Sequence, residues 1–299
     1  MRRLELQLAM LMAAAGSAGA QRVPGRDLLQ LPLGTMDRPA ALGGSVGDGL
    51  GNPASIVADS GIRARVSAVA VQTPADQGVT ARLVGISIAL PERFAAGLSL
   101  GRASVSNLFR TETDPQTIGP DLAYSTSIVS VSVARQHSSH VAVGVAARYR
   151  WGEMDRDRNG AIGIDGGIRA VHLMPFDASV GASTFLWRPA NASDERTTLN
   201  LGADLRVAGE EDRLEARLGY GASLTEGAER EDFGYAAGHY GIWEARGGLA
   251  RLDALGNVSW HPRLGLQLHY DQYLVGVARE ESGAGLGAIY QFTLSAAVR

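Results

Sequence analysis

Val141-Ala142-Val143-Gly144-Val145-Ala146-Ala147-Arg148-Tyr149-Arg150 carries the pattern that decides the fold. Val141, Val143, Val145, Ala147 and Tyr149 fall on one side of an extended chain, and Gly144, Arg148 and Arg150 on the other. A segment of this kind has one apolar face and one face of small or charged residues.

Period two extends outward from there in both directions. Upstream, Ile62, Ala64, Val66, Ala68 and Ala70 oppose Arg63, Arg65, Ser67, Val69 and Val71, and Val84, Ile86, Ile88 and Leu90 oppose Gly85, Ser87 and Ala89. Phe94, Ala96, Leu98 and Leu100 then oppose Ser99 and Gly101, while Val129, Val131 and Val133 oppose Ser130 and Ser132. Downstream, the polar face carries Asp165 and Arg169, then Asp204 and Arg206, then Glu215 and Arg217, then Glu244 and Arg246. The last strand sets Ala288, Tyr290, Phe292 and Leu294 against Gly287, Gln291 and Thr293. The pattern predicts about twelve strands, each of roughly ten residues or more, the length that crosses a bilayer at a barrel's tilt. Tight turns are expected at Pro91-Glu92, at His137-Ser138-Ser139 and at Asn159-Gly160, the last a strong two-residue hairpin signal. Longer polar loops are expected at 111–120, 189–194 and 226–238.

Composition narrows the class. Of 299 residues, 45% are apolar, 20% charged and 6% aromatic, with a net charge of −3 and scattered basic residues, which excludes a nucleic-acid partner. All 28 Lys+Arg residues are arginine, and cysteine is absent, so neither a disulfide nor a thiolate metal site exists. A soluble β-sandwich or β-solenoid would also alternate, but its polar face normally carries lysine, glutamate and threonine. Here that face is Gly, Ser and paired Arg/Asp/Glu, which suits a narrow lumen. The fold class expected is therefore all-β: an antiparallel up-and-down barrel spanning a membrane, closed because an unpaired backbone donor in hydrocarbon costs several kcal/mol.

The N-terminus divides the chain. Residues 1–20 carry Arg2 and Arg3, an apolar run from Leu6 to Ala15 and Ala18-Gly19-Ala20, the form of a signal peptide cleaved before Gln21. Residues 21–61 form a proline-bearing lead and a glycine-rich stretch, and 62–299 form the barrel. Gly47-Asp48-Gly49 begins a phosphate-loop spelling, but Asn52 stands where the third glycine belongs.

Other motifs are weaker. Gly97-Leu98-Ser99-Leu100-Gly101 spells G-x-S-x-G, yet a nucleophile elbow needs a strand-to-helix turn and this run lies inside an alternating strand, so no catalytic residue is assigned. Asp155-x-Asp157-x-Asn159-Gly160 matches half of a calcium loop, but Gly166 stands where a bidentate Glu is required, and no metal or cofactor is expected. Of the histidines, His269 alone is expected to point inward.

The order of signal peptide, Gly43-Gly44, Asp48, Asn52-Pro53-Ala54 and amphipathic strands resembles the outer-membrane barrel superfamily of FadL-type transporters and PorV/PorQ-type proteins. Gly163-Ile164-Asp165-Gly166-Gly167 and Asn200-Leu201-Gly202-Ala203-Asp204 are similar to strand motifs of that superfamily. The resemblance implies a barrel of 12 to 14 strands with an N-terminal hatch in its lumen, containing Gly43, Gly44, Asp48, Asn52 and Pro53. It also implies a bacterial outer-membrane location, lipid as surroundings, and a small-molecule or lipid-like substrate, or else secretion-system proteins as partners. The inward charges Arg148, Arg150, Asp165, Arg169, Asp204, Arg206, Glu215, Arg217, Glu244 and Arg246 read in two ways. Either they pair and fill a closed lumen, or they line a charged constriction that sorts solutes. Three functions follow in order: a non-enzymatic transporter, a PorV-like secretion component, and an outer-membrane acyl-hydrolase using Ser99.

Overall fold

The structure is a computed structural model. It describes residues 23–25, 28, 38–43, 49–57, 61–74, 78–106, 108–111, 118–187, 195–209, 214–227, 229–254, 256–281 and 287–299. The proposed signal peptide, Gly44, Asp48 and the Gly47-Asp48 pair lie outside these residues.

Fourteen strands close into one barrel in which each pairs antiparallel with its neighbours. They are β1 (Ala64–Gln72), β2 (Val79–Leu90), β3 (Phe94–Val105), β6 (Tyr124–Gln136), β7 (Val141–Met154), β8 (Asp157–Leu173) and β9 (Ala178–Phe185). The circle continues with β10 (Thr198–Gly209), β11 (Leu214–Thr225), β12 (Glu229–Tyr240), β13 (Trp243–Ala254), β14 (Asn257–Tyr270), β15 (Tyr273–Glu281) and β16 (Ala288–Val298). β4 (Phe109–Thr111) and β5 (Ile118–Asp121) make a separate hairpin on the connection from β3 to β6. The seam is β1 against β16, in register from Ala64↔Val298 to Gln72↔Tyr290.

The expected alternation is present, and it separates two environments. Val145 is 59% exposed on the outer face, whereas Arg148, three residues on, is 1% exposed on the inner face. Val84, Leu100, Val131, Leu264, Phe292 and Leu294 repeat the outward exposure around the barrel. So large a continuous apolar surface does not persist on a water-soluble monomer, and it suits hydrocarbon. Tyr240, Trp243, Tyr270 and Tyr273 are exposed at one end of adjacent hairpins, as amphipathic rings are at a membrane interface.

The two ends differ. At one end the connections are short, among them 91–93, 137–140, 174–177, 241–242 and 271–272, and here β1 begins and β16 finishes. At the other, 106–123 and 186–197 are long, although 155–156 and 255–256 are tight.

Three expectations are corrected. There are fourteen barrel strands rather than about twelve, β12 and β15 being the two additional ones. The supposed loop at 226–238 is mostly β12, whose inward positions hold Phe233 and Tyr235 and whose outward ones hold Gly234, Ala236 and Gly238, inverting the usual pattern. Asn159-Gly160 is not a turn: it pairs with Gly152 and Trp151 inside β8, and the turn is Asp155-Arg156. Gly160 serves packing there, since a Cβ would lie 2.4 Å from the Tyr149 hydroxyl.

Candidate functional site: the barrel interior

The interior is occupied by the stretch before β1. Asn52 caps a single 3-10 turn, Pro53–Ile56, with its Oδ1 accepting from the Ala54 N–H at 2.9 Å and proline at the first turn position. Its amide also donates to the carbonyls of Ala41 (2.5 Å) and, on β8, Ile168 (3.1 Å), and its side chain is fully buried. Three partners make this one side chain the fastening between two turns of the segment and the wall. Gly43 ends the other turn, Ala40–Leu42, at φ +77, where a Cβ would sit 2.4 Å from that of Ser55.

The wall is shaped for this segment. Gly144 pairs with Gly167 across β7 and β8, and Gly181, Gly202 and Gly221 form a row across β9, β10 and β11. A Cβ at Gly144 would lie 2.5 Å from the Pro53 carbonyl carbon, at Gly167 2.1 Å from Asn52 Oδ1, and at Gly181 2.1 Å from the Ala41 oxygen. The small residues of the inner face are thus a bed for backbone, a role that alternation alone does not distinguish from a merely narrow lumen. Ser183 Oγ donates to the Gly51 carbonyl at 2.7 Å, and Leu50 and Leu28 pack on inward Val69, Leu83, Ile128 and Leu186.

The charges of the polar strand faces lie on the inner side of the wall, in groups. Toward the long-loop end, Arg148 Nε meets Asp165 Oδ2 at 2.8 Å with both side chains fully buried. Asp165 also accepts from the Trp187 N–H at 2.9 Å. Arg150 pairs with Glu195 and donates to the carbonyls of Pro24 (2.8 Å) and Val23 (2.9 Å). These two arginines are buried under the N-terminal chain rather than displayed to a solute.

Toward the short-turn end, Arg217 is a hub that reaches Asp204 (2.6 Å), Glu215 (2.7 Å) and Asp177 (3.2 Å). Arg38 of the inner segment joins Asp204 at 3.1 Å, and Arg206 lies 3.7 Å from Asp177. Glu244 holds Arg246 and, at 3.1 Å, His269. Burial pushes the Asp177 carboxyl up, but hydrogen bonds from His172 and Arg217 outweigh it and hold it below the ordinary value.

Next to these groups a cavity of about 870 Å³ opens at the short-turn end, with Arg169, Arg217, Glu215, Glu244 and Arg246 in its lining and Ala54 and Val57 of the inner segment bordering it. His140, His172 and His239 line it as well as His269, and His261 lies 3.4 Å from Glu280 inside the barrel, so His269 is not alone in pointing inward. A further inward group escaped the sequence: Arg263 meets Glu280 at 2.6 Å and Glu231 at 2.8 Å beneath the Phe233 ring. Its partners lie on β15 and β12.

Ser99 is buried midway along β3 with no strand-to-helix turn, and among the described residues no three metal-ligating side chains come together.

No protein-family model and no curated protein matches the chain. Among solved structures, the ΔS2S3 mutant of TodX, a monoaromatic hydrocarbon channel, aligns over 86% of this chain and 96% of that one, with TM-score 0.51 and 12% identity. OprB of Pseudomonas putida (TM-score 0.43, 8% identity, 79% of this chain and 92% of that one) and the KdgM porin (0.40, 9%, 79% and 99%) are more distant and carry no argument. At 12% identity the likeness to TodX is one of fold alone. The chain has the fold of an outer-membrane channel barrel.

Proposed function

We propose that this protein is an outer-membrane transport protein that admits small molecules, hydrophobic ones among them, through a barrel whose N-terminal segment is a hatch, as in FadL-type transporters. The observation that carries this reading is the seating of residues 38–43 and 49–57 inside the barrel, by hydrogen bonds and glycine contacts and with a cavity on one side. A permanent filler would need no such cavity, and an open pore would need no filler. Short turns face the periplasm in barrels of this type, so the cavity would be the inner mouth. Gly44 and Asp48 would complete the hatch.

A disulfide clamp tests the reading in a chain with no cysteine of its own. The Ala41 Cβ lies 3.4 Å from where a Gly202 Cβ would stand. That is close to the lower end of the disulfide range of about 3.5–4.5 Å. With Ala41→Cys and Gly202→Cys together, oxidation should suppress single-channel conductance and uptake of a small aromatic hydrocarbon into vesicles, and reductant should restore both. Equal flux in the two states would refute a moving hatch.

A PorV-like role in protein secretion is favoured by one feature, the long 106–123 connection with its own β4–β5 hairpin. Stable co-purification of an exported protein, lost on trimming that hairpin, would support it over transport.

A further inference from the structure

Four histidines surround the cavity at the short-turn end, and the transport reading uses none of them. His140 stands in the turn after β6, His172 near the end of β8, His239 near the end of β12 and His269 near the end of β14. Three have one ring nitrogen committed to an acceptor. His140 Nδ1 is 3.2 Å from the Val171 carbonyl, His172 Nδ1 2.8 Å from the Asp177 carboxylate, and His269 Nε2 3.1 Å from the Glu244 carboxylate. At each of these contacts the ring must donate, so in the neutral imidazole its second nitrogen carries a lone pair. His239 meets His269 edge-on at 6.0 Å between ring centres. A neutral rim therefore offers acceptors, and protonation converts them to donors with added charge.

The remaining charges set the balance. Among the described residues the lining carries four guanidinium groups: Arg169 comes from β8, Arg217 from β11, Arg246 from β13 and Arg38 from the inner segment. Against them stand two lining carboxylates, Glu215 and Glu244, while Asp177, Asp204 and Arg206 lie outside the lining in ion pairs with Arg217, Arg38 and one another. The described lining is thus net cationic with uncharged imidazoles, and each protonated ring makes it more positive.

We propose that this vestibule is a proton-linked binding site for small oxyanions, weak when the imidazoles are neutral and tighter when they are charged. The anion class follows from the excess of cationic groups, and the proton linkage from the committed ring nitrogens. The site does not require the barrel to conduct, since a plugged barrel would bind the anion equally.

Sulfate is the suitable probe, because it stays a dianion throughout the range in which imidazole titrates. Isothermal titration of the full chain in mild detergent, in chloride-free buffer, should show one sulfate per chain, bound at least about tenfold more tightly near about pH 5.5 than near about pH 8. His239→Gln with His269→Gln should flatten that ratio, and so in part should His140→Gln, which sits in a turn outside the strand ladder. Folding of each variant is read from the shift in gel migration between unheated and boiled samples. No sulfate binding at either pH, equal affinity at both, or a ratio that survives the double variant would overturn the proposal. Sulfate binding in a barrel that passes no current would sink the transport reading and leave this site standing.

Discussion

Asp165→Asn is the sharpest probe of whether the upper lumen is dry. The Arg148–Asp165 pair is 2.8 Å apart with both side chains fully buried. At that separation the attraction is about 1.5 kcal/mol in a water-like medium and about 6 kcal/mol at an effective dielectric of about 20. Asparagine keeps an oxygen for the Trp187 N–H and removes only the charge. In a dry interior the Arg148 charge then loses its carboxylate, and the expected cost is about 3–5 kcal/mol. Changing both residues together, Arg148→Met with Asp165→Leu, should restore most of that loss, because replacing a buried pair by apolar groups is often neutral. Urea unfolding in detergent, followed by tryptophan fluorescence and by the heat-dependent gel shift, gives the four corners of the cycle. A cost of about 1 kcal/mol or less for Asp165→Asn, the value of a solvated pair, would refute the reasoning and mean that water reaches this level of the barrel.

Other outcomes can be stated more briefly. Asn52→Leu removes three hydrogen bonds and leaves two carbonyls and one N–H without that partner. Each such buried group costs about 1–3 kcal/mol. The inner segment should become protease-sensitive while the barrel's gel shift is unchanged, and an equally protected segment would mean that Asn52 does not fasten it. Asp177 is held below its ordinary value of 3.8, so it takes up its proton more readily unfolded than folded, and its stabilisation is present above that value and lost as pH falls through the lower folded one. The stability gap between wild type and Asp177→Asn should therefore close in acid, and a gap that is constant down to strong acid would contradict the His172 and Arg217 contacts. Trp243 is half exposed on the outer wall, so in a chain retaining it as the single tryptophan, brominated lipid should quench its fluorescence strongly. Absence of quenching would contradict a lipid-facing wall.

Much of the wall was legible because alternation in strands such as β7 reports two solvents at once, hydrocarbon outside and a packed lumen inside. β12 failed for the same reason in reverse. Phe233 and Tyr235 turn inward, and they fit because Gly219 and Gly248 on the flanking strands leave room for the rings, a cross-strand match that no single segment reveals. Glu280 on β15 meets Arg263 directly across the β14–β15 ladder, a match set by register and not visible in either strand alone. For the interior, the ten charges were readable by face, but their grouping was not. Arg217 gathers carboxylates from three places in the chain, and the partners of Arg263 lie on β15 and β12. The glycines were visible as small residues, whereas the register that aligns Gly181, Gly202 and Gly221 is a property of the folded sheet.

The inner segment is joined to the wall it occupies. Val57 is seven residues from Ala64, where β1 begins at the short-turn end. A chain of that length spans at most about 25 Å fully extended. If the segment left the lumen by that mouth, it would remain within this radius, and its return would be a unimolecular event at a local concentration of order millimolar. Reclosure would then be independent of how much protein the membrane holds, and each barrel would reset itself after every opening without any partner to carry the stopper back.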